Sequence, residues 1–190
     1  MRIGLFGGTF DPIHDAHLTI AREAARLFAL DRVMLIPAAR PPHKSGATQT
    51  SYEHRYRMVE LACAGELRLE ASRREQGEQN SYSIETIERV RATLARGQVL
   101  YFLIGADAFA EIRTWHRWRE VIASVDFIVV NRPGAVYEVP EGARVERLEG
   151  LGLRVSSSEI RRRIAAGDDR VEVPAAVLAY IREHGLYRQA

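Results

Sequence analysis

The chain has 190 residues, of which 46% are hydrophobic and 27% charged, and its formal net charge at pH 7 is +2. This length is sufficient for one well-buried domain, and the balanced charge argues against a protein that binds nucleic acid through excess basic charge. No apolar run approaches the ~20 residues of a membrane-spanning helix, and no signal-peptide pattern precedes the first predicted strand. The one cysteine, Cys63, lies in an apolar stretch, which predicts a buried free thiol and a cytoplasmic protein.

Strand and helix patterns alternate along the chain. Short apolar runs predict strands at residues 2–6, 32–37, 67–70, 99–104 and 127–130, with one more near Val145. Apolar residues at helical spacing predict helices at residues 18–28, 51–64, 83–97, 156–167 and 174–185. This alternation predicts an α/β fold, a Rossmann-like parallel sheet with helices on both faces, in a single domain of residues 1–190.

Capping residues predict the ends of two of these helices. Ser83 is predicted to be an N-cap, and Gly97 follows the end of its helix. Ser156 and Glu159 have the spacing of a capping box, which predicts a helix that starts there and runs to Gly167.

The most informative stretch is GGTFDPIHDAH at residues 7–17, between the first predicted strand and the first predicted helix. Its two glycines allow the backbone to approach a ligand closely and leave N–H groups for a phosphate, where α/β sheets bind their ligands. His14 and His17 are three residues apart, so on a first helical turn they face the same spot. A pair of imidazoles there suits the charge that develops on a phosphoryl oxygen during transfer.

The histidine pair also has simpler explanations. One histidine can cap the helix while the other packs, and H-x-x-H can be half of a zinc site, although no H-E-x-x-H motif or cysteine cluster accompanies it. The turn is neither a G-x-G-x-x-G dinucleotide fingerprint nor a P-loop. The sequence therefore argues against an oxidoreductase and against an ordinary P-loop ATPase.

Two motifs carry a resemblance to a known family. GGTFDPIHxxH after a first strand resembles the opening motif of the HxGH nucleotidylyltransferase superfamily, and Ala16 stands where that family usually has glycine. VSSSEIR at residues 155–161 resembles the second superfamily signature, ISSTxxR. Within the superfamily, the chain resembles the bacterial nicotinate-nucleotide adenylyltransferases over nearly its whole length. This implies the nucleotidylyltransferase fold and adenylyl transfer from ATP by direct in-line displacement.

The resemblance implies a role for each matching residue. Catalytic roles fall on His14, His17, Lys44 and Arg161. Nucleotide and phosphate binding falls on Gly7, Gly8, Thr9, Phe10, His43, Gly105, Asp107, Ser156, Ser157 and Ser158. Binding of the nicotinate ring and its carboxylate falls on Tyr82, Ser83 and Trp115.

Several of these residues have structural explanations on sequence alone. Ser83 and Asp107 would each serve as an N-cap, and a lone tryptophan such as Trp115 is more often part of the core. The PPHK segment at residues 41–44 would by itself be a rigid surface loop. Residues 54–58 match a family segment that we interpret as a structural helix whose charged groups brace the loops of the active site.

The implied reaction joins ATP and nicotinate mononucleotide to give nicotinate adenine dinucleotide and pyrophosphate, a step of NAD biosynthesis. Mg²⁺ is expected to arrive with ATP, held by phosphate oxygens and water, with no metal cage in the protein. One alternative is the same chemistry on nicotinamide mononucleotide, phosphopantetheine or another phosphorylated acceptor. A second is a non-catalytic nucleotide-binding module. We expect no nucleic-acid or membrane partner, and the sequence is compatible with a homo-oligomer.

Overall fold

The computed structural model describes residues 1–39, 50–75, 82–131, 134–151 and 155–188. Within these residues the strands form one parallel sheet. They are β1 (Arg2–Gly8), β2 (Arg32–Pro37), β3 (Leu69–Ala71), β4 (Val99–Gly105), β5 (Asp126–Val130) and β6 (Arg144–Leu148). The predicted parallel sheet is therefore confirmed, including the strand near Val145.

Helices connect these strands. They are α1 (Asp15–Leu27), α2 (Tyr52–Cys63), α3 (Ser83–Arg91), α4 (Ala106–Ala110), α5 (Trp118–Ser124), α6 (Ser157–Ala165) and α7 (Ala175–Glu183). A short 3₁₀ turn, Ile112–Thr114, lies between α4 and α5. None of the helices in the described parts of the chain is long and apolar enough to cross a bilayer.

The strand order is β3-β2-β1-β4-β5-β6. The chain thus fills one half of the sheet outward from β1, returns to the centre, and fills the other half outward from β4. The connection after β1 leads to β2 on one side, and the connection after β4 leads to β5 on the other side. This change of direction opens a crevice at the carboxyl ends of β1 and β4. The fold therefore places the GGTFDPIH turn, which directly follows β1, at this crevice.

The core consists of two apolar clusters, one on each face of the sheet. Residues of α1, α2, α6 and α7 pack on one face, and residues of α3, α4 and α5 pack on the other. Ile3 and Leu5 of β1 face the second cluster, whereas Phe6 faces the first. Gly4 lies between them, and a Cβ atom there would come within 3.0 Å of the Leu30 side chain. The centre of the sheet is thus closely packed around β1.

Several predicted boundaries are wrong by a few residues. The first helix begins at Asp15 rather than Leu18, and the first strand extends to Gly8 rather than Phe6. Tyr82, not Ser83, is the N-cap of α3, and the helix ends at Arg91 rather than continuing to Gly97. The Thr93 hydroxyl donates to the Val90 carbonyl, a local hydrogen bond that competes with helix continuation.

Another wrong boundary is the start of β3, which begins at Leu69 because only Leu69–Ala71 pair with β2. Leu67, predicted to start this strand, lies fully exposed in the preceding turn. Pro174 shows a smaller difference, since it is the N-cap of α7 and not its first helical residue.

Candidate active site

The site begins at the carboxyl end of β1, where the two glycines have different reasons to be glycine. A Cβ atom on Gly8 would lie 2.9 Å from the Phe10 ring, a separation that real contacts do not show. A Cβ atom on Gly7 would meet its nearest neighbour, the Phe102 ring, at 4.0 Å. Gly8 therefore permits the tight return of Phe10 over the strand end, whereas Gly7 leaves open space beside the strand.

His14 and His17 form a stacked pair at the start of α1. His14 is the N-cap and His17 lies in the first turn, so the two rings meet with centroids 3.7 Å apart and planes inclined by 19°. The predicted sharing of one face is confirmed. The pair is set at the helix N-terminus, where backbone N–H groups and the helix dipole favour a negatively charged ligand.

The surroundings of His17 determine the tautomer of its neutral ring. The backbone N–H of His14 donates to Nδ1 of His17 at 3.3 Å, so in the neutral ring the proton resides on Nε2. Phe10 packs edge-on against the His17 ring at a centroid distance of 5.0 Å, which fixes its orientation. His17 is thus prepared to donate a hydrogen bond from Nε2.

His14 is buried and uncharged near neutral pH. Its side chain is 4% exposed, and its Nδ1 atom has no hydrogen-bond partner among the described residues. Burial lowers the pKa of His14 to about 4, against an opposing influence from the charge of Glu172. The ring therefore acts as a neutral hydrogen-bonding group and not as a fixed cation.

The turn before the histidines is held by α6. Arg161 donates from Nη1 to the Asp11 carbonyl at 2.7 Å, and the Ser157 hydroxyl donates to the Pro12 carbonyl at 2.9 Å. Ser156 caps α6, because its Oγ accepts from the Glu159 N–H at 3.2 Å. The second motif thus meets the first through hydrogen bonds, which brings its serines and arginine to the histidine turn.

Arg55 of α2 supports the same region from the interior of the protein. This side chain is 1% exposed and donates to the carbonyls of Thr9 and Ala38 at 2.8 and 2.7 Å, with a longer contact to Ala39. It thereby joins the ends of β1 and β2. The interpretation of this helix as a brace for the active-site loops agrees with these contacts.

A pocket of about 340 Å³ opens in the crevice between β1 and β4. We call it the crevice pocket. The Tyr82 and His116 rings approach each other there at 4.5 Å, and Trp115 adds a third aromatic ring. Its lining includes seven of the predicted site residues, Gly7, Gly8, Thr9, Tyr82, Ser83, Gly105 and Trp115. Flat aromatic surfaces of this kind suit a planar heteroaromatic ring.

The histidine pair and the crevice pocket lie on two sides of one short turn. Gly7, Gly8 and Thr9 line the pocket, and the next residue, Phe10, contacts His17. A ligand that combined an aromatic ring with phosphate could therefore place the ring in the pocket and the phosphate near the imidazoles. Among the described residues, no group of three His, Cys, Asp or Glu side chains is arranged to hold a metal ion.

Comparison with known proteins agrees with this geometry. The cytidylyltransferase-like family model matches residues 5–163. A protein of Solibacter usitatus named "Probable nicotinate-nucleotide adenylyltransferase" is 59% identical over 187 residues, covering 98% of this chain and 100% of the relative. One of Pseudomonas aeruginosa is 44% identical over 209 residues, covering 98% of this chain and 97% of the relative.

The chain belongs to the nicotinate-nucleotide adenylyltransferase family.

A solved structure supports the fold of this family member independently of sequence. The nicotinic acid mononucleotide adenylyltransferase of Plasmodium falciparum, complexed with NaAD, matches with a TM-score of 0.79 at 18% identity. The match covers 98% of this chain and 97% of the other. The predicted nucleotidylyltransferase fold is therefore confirmed.

The predicted site residues of this family member fall into three groups in space. The crevice pocket takes one group, and the histidine turn with α6 takes the second, namely Phe10, His14, His17, Ser156, Ser157, Ser158 and Arg161. Asp107 is exposed in the first turn of α4 and is not part of the pocket lining, although Gly105 and Ala108 are. His43 and Lys44 lie outside the described residues.

Sequence reasoning missed two sets of residues. His116, Glu75 and Glu111 line the crevice pocket, and only His116 had a signal, its position next to Trp115. The predictions also gave no role to Asp11, although it lies inside the first motif and is almost fully buried. Arg163, two residues after Arg161, pairs at the surface with Asp168 and Glu172.

Proposed function

We propose that this protein transfers the adenylyl group of ATP to nicotinate mononucleotide and so makes nicotinate adenine dinucleotide for NAD biosynthesis. The observation that carries the proposal is the position of the stacked His14–His17 pair and the aromatic crevice pocket on two sides of the Gly7–Thr9 turn. The full-length relative at 59% identity, named as this enzyme, supports it. The buried free thiol of Cys63 suits a reducing compartment, so we place the reaction in the cytoplasm.

The proposed reaction is a direct displacement at phosphorus. A phosphate oxygen of nicotinate mononucleotide attacks the α-phosphorus of ATP, the new O–P bond forms, and the bond from that phosphorus to the bridging oxygen of pyrophosphate breaks. Transfers of this type gain mainly from positioning and from stabilisation of charge on the phosphoryl oxygens. We assign positioning of the pyridine ring to Tyr82 and Trp115, with Ser83 at the start of α3.

Other residues are proposed to bind the phosphate groups of ATP. Nε2–H of His17 is proposed to donate to an α-phosphate oxygen, next to the neutral ring of His14. Arg161 and the serines at the start of α6 are proposed to hold the β- and γ-phosphates, with His43 and Lys44 from the segment after β2. Mg²⁺ is treated as part of the substrate, because ATP binds it through phosphate oxygens and water.

Substitution of His17 tests this mechanism. We expect His17→Ala to fold and to release pyrophosphate from ATP and nicotinate mononucleotide roughly 100- to 1000-fold more slowly, because one preorganised donor to the phosphate is lost. His184→Ala is the control, since His184 lies at the end of α7 and contacts Tyr180. A His17→Ala variant with the wild-type rate would remove this histidine from the mechanism.

The choice of pyridine nucleotide needs a separate assay. Pyrophosphate release is measured with nicotinate mononucleotide in one reaction and nicotinamide mononucleotide in the other. Fast release with the acid alone is the expected result. Equal rates would support adenylyl transfer and contradict selectivity for the acid. Release only with phosphopantetheine or another acceptor would show that nicotinate mononucleotide is not the substrate. No release with any acceptor from folded protein would leave the non-catalytic binding module as the better description.

A further inference from the structure

The Asp11 carboxylate is the meeting point of distant parts of the chain. Asp11 is 1% exposed, and its Oδ1 atom accepts from the Thr50 hydroxyl and from the Tyr187 hydroxyl, each at 2.6 Å. A buried carboxylate is costly unless donors surround it. Thr50 directly follows the segment that contains His43 and Lys44, and Tyr187 follows α7. Two residues that are far apart in the sequence, Thr50 and Tyr187, thus donate to one oxygen atom in the first motif.

Tyr187, which makes one of these contacts, has an unusual backbone conformation. Its φ angle is 65°, in the left-handed region that residues other than glycine seldom adopt. The side chain is nevertheless buried, with 9% exposed. Burial, together with the charge of Asp11, raises the pKa of the Tyr187 phenol, so it remains protonated and can only donate to the carboxylate.

The backbone around Asp11 connects this contact to the histidines. The carbonyl of Asp11 accepts from Arg161, and the carbonyl of Pro12 accepts from Ser157. His14 follows two residues later and caps α1. A shift of the Asp11 side chain would therefore move the turn on which the imidazoles and the start of α6 are aligned.

We propose that Tyr187 and Thr50 are positioning residues for adenylyl transfer, whose hydroxyl groups fix Asp11 and through it the turn that carries His14 and His17. This inference rests on the proposed function. Both hydroxyls are directed to Asp11 Oδ1, so in this proposal they act on the alignment of the histidines and not on the substrates directly. Displacement of a catalytic group by about 1 Å can reduce a rate about 100-fold. The loss of one hydroxyl that holds Asp11 is therefore expected to lower turnover.

The crevice pocket offers a way to separate positioning from a general loss of structure. Neither Tyr187 nor Thr50 lines that pocket, which contains Tyr82 and Trp115. Displacement of the histidine turn should therefore lower kcat and leave the KM for nicotinate mononucleotide unchanged. A variant that is merely less stable would show a lower Tm with an unchanged kcat per folded molecule.

The test removes single hydroxyl groups. Tyr187→Phe and Thr50→Val keep most of the buried volume, so both variants are expected to fold. We expect each to lower kcat about tenfold or more, with the KM for nicotinate mononucleotide within about twofold of the wild type. Because the two hydroxyls share one acceptor, the effects of the double variant should be less than the product of the single effects.

Histidine NMR gives a readout that needs no turnover. In ligand-free protein the ring Cε1–H signals of His14 and His17 should shift in Tyr187→Phe. Tyr180→Phe is the matched control, because Tyr180 lies on α7 and its hydroxyl contacts Nδ1 of His54 at 2.9 Å, away from Asp11. That variant should shift the His54 signal, leave those of His14 and His17 in place, and retain the wild-type kcat.

The outcomes separate this inference from the proposed function. A wild-type kcat in Tyr187→Phe, or unshifted His14 and His17 signals, would overturn the positioning role even if the enzyme is fully active. Wild-type protein that is inactive with every acceptor would overturn the proposed function. In that case the histidine signals alone decide whether Tyr187 aligns the turn.

Discussion

His14 and His17 are chemically unlike, although the sequence presents them as a pair. His17 has its proton directed to Nε2 by a backbone donor, whereas His14 is buried and has a pKa lowered to about 4. Two protonated rings stacked at 3.7 Å would repel each other, so neutrality of one ring is compatible with the close contact. In the proposed mechanism, the pair would therefore supply oriented hydrogen bonds to a phosphate more than net charge.

The lowered pKa of His14 predicts a pH-dependent stability. Between about pH 6.5 and 4 the unfolded chain binds a proton at this residue and the folded chain does not, so the free energy of unfolding falls as the pH falls through this range. The loss from this residue should reach about 2 kcal/mol at pH 5 and about 3 kcal/mol near pH 4.

Urea unfolding of the ligand-free protein at neutral and acidic pH measures this effect. His14→Asn lacks the titrating ring and should lose less stability than the wild type between pH 7 and pH 5. Parallel losses in the two proteins would contradict the assignment to His14.

Sequence reasoning at this scale succeeded where a contact was local. The three-residue spacing of His14 and His17 was enough to predict a shared face, because both lie within one helical turn. The burial that lowers the pKa of His14 depends on neighbours from several elements, and it has no local pattern. The bond from Tyr187 to Asp11 joins residues 176 positions apart, which no spacing rule within a motif addresses.

Among the secondary-structure elements, α2 has a role beyond packing. It carries Arg55, which holds the ends of β1 and β2 through three carbonyl groups. Burial lowers the pKa of this guanidinium, while the charge of Asp11 acts in the opposite direction. The helix therefore carries a cation into the interior beneath the proposed active site, where it compensates both carbonyls and a carboxylate.

Substitution on α2 tests this role. Arg55→Met should lower the free energy of unfolding by about 3 kcal/mol, because the backbone carbonyls that accept hydrogen bonds from Arg55 would be left without a donor. Arg57→Met is the matched control, since Arg57 is exposed and pairs with Glu60 on the surface, where such pairs contribute less than about 1 kcal/mol. Denaturant unfolding of both variants measures the difference. Equal losses would mean that Arg55 is dispensable as a brace.

The predicted bounds of strands and helices were accurate where no tertiary or side-chain contact altered the end of a buried apolar run. β2 and α2 agree with their predictions within one residue, and β4 and β5 are each one residue longer. Errors occurred where a tertiary or side-chain contact decides the boundary, as at the start of β3, which is set by pairing with β2. The end of α3 is a similar case, because the Thr93 hydroxyl takes the carbonyl of Val90.

For the whole molecule, the sheet order predicts an uneven stability. β1 lies between β2 and β4 and has buried residues over most of its length, whereas β6 is an edge strand with exposed side chains at three of five positions. Native-state hydrogen exchange should therefore show amides of β1 and β4 opening only with global unfolding, and amides of β6 opening earlier. Equal protection of β6 and β1 would contradict this ranking.

The architecture could be predicted because strands and helices alternate through the chain, and alternation of this kind requires parallel crossovers. The sequence could not predict the volume of the crevice pocket or the presence of Glu75 and Glu111 in its lining. Both depend on how three separate connections meet at the edge of the sheet. The assignment of residues 1–190 to a single domain stays a prediction.

The contact between Asp11 and Tyr187 also has a consequence for protein synthesis. Ribosomes add about 5 to 20 residues per second, so the 176 positions between the two residues correspond to roughly 10 to 35 s of translation. During that interval the first motif has left the ribosome without the phenol that anchors it. The turn that carries His14 and His17 should therefore reach its aligned position only after Tyr187 has been added and has left the ribosome.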